Sequence, residues 1–330
     1  MKPAKLIVAA LAALAFAAPA AAEKLKVGYL RVMDDAQAIL AYEAGLFKKH
    51  GVDAELVEFK SGTDLIKAIV GGQVDTGVLG FTNAVAWASK GADLKVIGGA
   101  QHGYHALVVR EEAGIKTVAD LKGKTLASQT EGSTADTVLK GVVLKQAGLK
   151  PDDVNIMGVS PQVAVQSLAA KRVDAAFLFE PQATIAQLIA PTKQIYEIGE
   201  VWPFPCMVVI TSGDNLKKRK DDIWKSLDAQ REAITMLQKQ PEQAAKYIAE
   251  YFISQPTLKT LNKGELPRET VIVDAIKSQT FSPVLTTKEL ARMQEIADIL
   301  TEQGSLKTRD GKPYDVKSII DLSWQKERKL

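Results

Sequence analysis

The sequence predicts an α/β protein made of two similar α/β lobes, joined by two crossings of the chain and followed by a helical C-terminal tail. Three observations predict it. Helix and strand patterns alternate through most of the chain, as they do where helices cover a largely parallel sheet. The segment Gly72–Leu79 has a counterpart 99 residues later in Lys171–Leu178, and both read as a helix end, a Val-Asp turn and a short apolar strand. From Asp221 onward the apolar spacing is mostly helical.

Leu25–Leu30 reads as the first strand, and Ala36, Ile39, Leu40 and Ala44 share one face of the helix after it. Asp34 or Asp35 can cap that helix, and Gly45 stops it. Val52–Phe59 alternates as a strand, Ser61–Asp64 opens a second helix, and Val74–Leu79 is a buried strand. Thr82 or Asn83 caps the next helix, which Gly91 closes. Leu94–Gly98 and Ala106–Val109 are further strands. The plan then repeats: strand Lys124–Gln129, a helix from Gly132-Ser133-Thr134, strand Val154–Val159, helix Pro161–Ala170, strand Val173–Phe179, helix Thr184–Ile189 and strand Gln194–Ile198. The 99-residue offset carries Leu25–Leu30 onto Lys124–Gln129 and Ala36 and Leu40 onto Ala135 and Leu139. Ala106–Val109 and Met207–Thr211 flank the second lobe, so they are read as the two crossings. The tail helices are Ile223–Leu237, Pro241–Phe252, Arg268–Ile276 and Thr287–Gln303, expected to pack on the first lobe. The expected divisions are a first lobe over residues 23–108, a second over 109–204, and a return to the first with the tail over 205–330.

The N-terminus stands apart. Lys2 and Lys5 precede an apolar run from Leu6 to Ala18, and Ala20-Ala21-Ala22 supplies small residues for cleavage. Residues 1–22 therefore read as an export signal cut after Ala22, which places the mature chain in a periplasm. The remaining chain has 40 basic and 39 acidic side chains, a balance that gives no electrostatic attraction to nucleic acid or anionic membrane. Cys206 is the single cysteine, so no intramolecular disulfide forms and none is placed to carry a lipid anchor. His102 and His105 lack neighbours at metal-ligand spacing and are expected to hydrogen-bond at the hinge. Lys217-Lys218-Arg219-Lys220, followed by Asp221 and Asp222, reads as a solvated turn. No cofactor and no metal is expected, and no Ser-His-Asp set stands out.

The local sequence resembles a known group. Ile39-Leu40-Ala41-Tyr42-Glu43-Ala44-Gly45-Leu46-Phe47-Lys48-Lys49-His50-Gly51-Val52 is similar to a segment near the mature N-terminus of the nitrate, sulfonate, taurine and thiamine-precursor binding proteins. Gly72–Gly77, Asp120–Lys124 followed by Gly132-Ser133-Thr134, and Phe179-Glu180-Pro181 match further segments in order, over about residues 24–215. The resemblance implies a type II periplasmic binding protein, not an enzyme. It implies a monomer that captures a small solute and delivers it to an ABC permease.

Ligands of open α/β sheets sit beyond the carboxyl ends of the strands, where helix N-termini also point. That rule selects loops. Ser61-Gly62-Thr63 and Gly132-Ser133-Thr134 place hydroxyls at helix starts, either to hold an anionic oxygen or simply as caps. Thr82 and Asn83 lie in the equivalent loop after the third strand. Glu180 would suit an amine on the solute, or else pair with Arg172 or Lys193. Of Asp34 and Asp35, one caps and the other faces the cleft, with Arg31 opposing them or binding an anion. Tyr29, Phe81, Tyr104, Trp202 and Phe204 are aromatics of cleft or hinge loops, as solute walls or as hinge packing. A small sulfonate or taurine-like solute fits this set best. An aminopyrimidine or aromatic acid, and a sensor working with a membrane receptor, are the alternatives.

Overall fold

A computed structural model describes residues 23–306 and 312–330. The expected export segment lies outside the described residues. Two five-stranded sheets form the centres of the two lobes. The first contains β1 (Leu25–Leu30), β2 (Ala54–Phe59), β3 (Thr76–Gly80) and β4 (Lys95–Gly99). The second contains β5 (Ala106–Arg110), β6 (Thr125–Ser128), β7 (Asn155–Gly158), β8 (Ala175–Leu178) and β9 (Thr192–Glu197). The second crossing, β10 (Met207–Thr211), returns to the first sheet. The spatial orders are β2-β1-β3-β10-β4 and β7-β6-β8-β5-β9, so each sheet takes one crossing strand at the same place. Both crossing strands run antiparallel to their neighbours.

The repeat is physical. In the first lobe Val27 pairs with Thr76, and in the second Leu126 pairs with Ala175, the same 99-residue offset on both strands. The Val-Asp turns explain why these positions agree. Asp75 Oδ2 accepts from the Lys26 amide at 2.7 Å, and Asp174 Oδ2 accepts from the Thr125 amide at 3.0 Å. Each carboxylate also takes an arginine, Arg219 at 3.2 Å and Arg110 at 2.8 Å. An acid that satisfies an amide at the start of a neighbouring strand fixes that strand's register. The outer pairs slip by one residue between lobes, Val27 against Leu56 but Leu126 against Ile156.

Helices follow their sequence signals at most ends. In α1 (Ala36–Glu43) the chain leaves through Gly45 at φ +69°, a left-handed conformation that glycine adopts without strain. Asp35 stands at the start of α1 but makes no side-chain cap; its carboxylate accepts from the Leu30 amide at 2.8 Å and braces the turn after β1. Ser61 caps α2 (Gly62–Val70) as expected. Neither Thr82 nor Asn83 caps α3 (Phe81–Ala88), because the helix begins two residues earlier with Gly80 at its cap position. Ser133 caps α4 (Thr134–Val138), and Ser160 caps α5 (Pro161–Ala169), which precedes α6 (Gln182–Ile189).

The basic run 217–220 is not a turn. It lies within α7 (Gly213–Lys239), where Arg219 at φ −135° breaks the helical path. That break turns its guanidinium inward, to Asp75, Asp222 and the carbonyls of Glu23 and Lys24. The tail continues through α8 (Pro241–Phe252), α9 (Arg268–Lys277), α10 (Thr287–Glu302) and α11 (Ser323–Glu327). It packs on the first lobe through α7 and α8 against α1, but it also reaches the second. Ser278 donates to Glu180 at 2.8 Å, and Gln303 donates to the Thr137 carbonyl at 3.1 Å. In α11 the buried Trp324 donates to Asp228, which Arg328 also clamps. No helix among the described residues is long and apolar enough to cross a membrane.

Candidate functional site

The loops after β1, β2 and β3 meet those after β6 and β8 across a cavity of about 130 Å³. The first lobe supplies Leu30, Val32, Asp34, Gly62, Gly80 and Asn83. The second supplies Gln129, Ser133, Thr134 and Phe179, and the crossings supply His105, Cys206 and Met207. The lobes touch at its edge, where the hydroxyls of Thr82 and Thr134 lie 2.7 Å apart. At liquid density this volume holds about four waters, so a compact solute of few atoms fits.

Two kinds of group line the cavity. One kind stands at helix starts. Gly62 opens α2, Gly80 precedes α3, and Asn83 lies in the first turn of α3. First-turn amides have no partner within their helix, and the helix dipole favours negative charge there. A Cβ on Gly62 would meet the Asn83 amide nitrogen at 3.0 Å, so the glycine keeps that space open. Ser133 and Thr134 add hydroxyls from the second lobe.

Asp34 lies on the same lining; it is 5% exposed, and its Oδ1 is buried with no hydrogen-bond partner among the described residues. Burial, and then the nearby charge of Glu180, push its carboxyl from 3.8 to about 8. None of the residues lining the cavity is lysine or arginine. His105 is 2% exposed and burial lowers its imidazole to about 4, so the ring is neutral. Burial likewise raises the Cys206 thiol, which stays protonated. The cavity therefore offers neutral donors and an acid, with no lysine or arginine among the described residues that line it.

Of the residues expected at the site, Asp34, Gly62, Asn83, Ser133 and Thr134 line the cavity, and Thr82 closes its edge. The others lie elsewhere. Tyr29 donates to Glu58 and packs edge-on to Tyr251, and Arg31 pairs with Glu58 over the same ring. Asp35 is fully buried in the turn after β1. Ser61 is occupied as a cap, Thr63 is half-buried beyond it, and the exposed Gly132 donates its amide to Asp136. Phe81 is fully buried in the first-lobe core. Trp202 and Phe204 pack on each other, with Arg292 over Trp202 at 4.2 Å, which is hinge packing. Tyr104 donates to Gln194 and lines a second cavity of about 370 Å³ with His102, Glu197 and Ser278.

Glu180 is 1% exposed rather than on a rim. It pairs with neither Arg172 nor Lys193; it accepts from the Thr184 amide and hydroxyl and from Ser278. Sequence reasoning passed over His105, Cys206 and Met207 as site residues. The signal available was their place: His105 and Cys206 immediately precede the two crossing strands.

Two lobes that close on a cavity through paired crossings define a solute-binding fold. The chain belongs to the NMT1/THI5-like family, whose model matches residues 33–244. It is 27% identical over 230 residues, 68% of this chain and 70% of the other, to a Brucella abortus protein named only as a binding protein. It is 25% identical over 313 residues, 90% of this chain and 92% of the other, to the taurine-binding periplasmic protein of Escherichia coli. The crystal structure of the periplasmic aliphatic sulphonate binding protein SsuA from Escherichia coli superposes with a TM-score of 0.76, at 25% identity over 92% of this chain and 98% of that one.

Proposed function

We propose that this chain is the periplasmic receptor of an ABC importer and captures a small amine-bearing sulfonate of the taurine class. The observation that carries the reading is Asp34, a buried acid at the cavity wall with no lysine or arginine among the described lining residues to meet it. A solute ammonium supplies that cation, and its presence returns Asp34 to the charged form. The sulfonate then lies at the helix starts, among Gly62, Asn83, Ser133 and Thr134. Leu30, Val32, Phe179 and Met207 cover the methylenes between them. The absence of lysine and arginine from the described lining speaks against bare nitrate. The names of the relatives agree with binding rather than catalysis and with a periplasmic location.

A thermal-shift screen tests the reading. At 100 times its Kd a ligand stabilises the protein by about 2.7 kcal/mol, a readily measured rise in Tm. Taurine and close aminosulfonates are expected to give the rise. A rise with nitrate or sulfate and none with any aminosulfonate overturns the reading.

A further inference from the structure

His105 is the other group at the cavity for which the protein provides no partner. Its side chain is buried at the start of the first crossing, and Nδ1 has no hydrogen-bond partner among the described residues. The ring is held by packing instead. It stacks on Phe177 with centroids 5.3 Å apart and meets Phe179 edge-on at 6.2 Å. The backbone is fixed as well, since the His105 carbonyl accepts from the Ile198 amide at 3.1 Å. A buried ring nitrogen without a partner costs its full desolvation, and native interiors rarely leave such groups unpaired. Asp34 from the first lobe and His105 from the first crossing, each with an unpaired buried atom, line one small cavity.

We propose that His105 determines specificity in this cleft: a ring nitrogen accepts a hydrogen bond from the solute's amine, so the site selects a primary amine over a fully alkylated one. The inference rests on the aminosulfonate reading above. A primary ammonium has three N–H donors, and Asp34 alone leaves donors over. A neutral imidazole has one lone-pair nitrogen to accept one of them. A quaternary ammonium keeps the charge that suits Asp34 but has no N–H for His105. The aromatic stack sets the ring plane, so the acceptor is positioned before the solute arrives.

The test is His105→Phe, which keeps a ring against Phe177 and Phe179 and removes both nitrogens. Binding of taurine, N,N,N-trimethyltaurine and ethanesulfonate is measured by calorimetry for the wild type and the variant. The wild type is expected to prefer taurine over its trimethyl analogue. The variant is expected to lose about 10-fold in taurine affinity and to bind ethanesulfonate unchanged, since that probe has no amine to lose. Unchanged taurine affinity in the variant overturns the role of His105 and leaves the receptor reading standing. No binding of taurine or ethanesulfonate to the wild type overturns both. Should the variant fail to fold, nitrogen NMR of wild-type His105 decides: saturating taurine shifts the ring signals if the bond forms, and unmoved signals refute it.

Discussion

Replacing Asp34 by asparagine should make the empty protein more stable and the receptor worse. The unfolded chain ionises this carboxyl near 3.8, whereas the folded chain holds its proton up to about 8. Between those values the folded state binds a proton that the unfolded state has lost, so stability falls as pH rises through the window. Below about 4 both states are protonated, and the penalty is absent. At pH 7 the difference from 3.8 corresponds to at most about 4 kcal/mol against the folded state. Asparagine has nearly the same shape and no charge to suppress, so Asp34→Asn recovers part of that energy. Asp35 is also pushed well up, by burial and by the neighbouring Asp34, so Asp34→Asn relieves part of that shift too and moves stability in the same direction. Urea denaturation of the ligand-free proteins at pH 4.5, 6 and 7.5 measures the effect. The variant's advantage should be at most about 1 kcal/mol at the lowest pH and grow with each step. For taurine the order reverses: removing the charged acceptor of an ammonium costs roughly 1.5–3 kcal/mol, a 10- to 150-fold loss of affinity. A variant less stable than wild type at pH 7.5, or a gap that does not change with pH, refutes the assignment of Asp34 as an unpaired buried acid.

Other changes probe the frame. Thr134→Val removes the hydroxyl that meets Thr82 across the lobes, so small-angle scattering of the empty protein should show a larger radius than wild type. Asp174→Ala leaves the Thr125 amide without its acceptor and takes one of three from Arg110, and should cost about 1–3 kcal/mol in urea denaturation, with Asp75→Ala behaving alike in the other lobe. Gly103→Ala puts a Cβ 2.0 Å from the Phe204 ring, so the hinge must shift; a loss of about 1–3 kcal/mol is expected, and an unchanged Tm would contradict the packing. Glu180→Gln removes the nearby charge that helps hold the Asp34 carboxyl up, so the pH at which Asp34 ionises, followed by carbon NMR, should fall; an unmoved midpoint would leave burial as the whole cause.

The lobes were legible because their repeat has a chemical cause. Asp75 and Asp174 each hold an amide at the start of a strand, and that requirement survives while most neighbouring identities differ. The site was legible at the level of loops. Gly62, Asn83, Ser133 and Thr134 follow from the rule that ligands gather where strands end and helices begin. Within a loop, the direction of each side chain was not legible. Phe81 and Asn83 are two residues apart, yet one fills the core and the other meets the cavity, because α3 starts at Phe81 and not after it. Glu180 turned inward because Ser278, 98 residues away on the tail, donates to it. No local pattern announces such a partner. Arg219 was hidden in the same way, its partners being Asp75 and the backbone at the start of β1.

Calorimetric titration of the purified chain with taurine and with ethanesulfonate at pH 7 tests the central claim most directly, run in two buffers of different ionisation enthalpy. Taurine should bind at one per chain and release close to one proton, because Asp34 enters the complex protonated and is ionised within it. Ethanesulfonate, lacking the amine, should bind at least about 10-fold more weakly and release none. Equal affinities for the two, with no proton released by either, would contradict a cleft built around an unpaired acid and a solute amine.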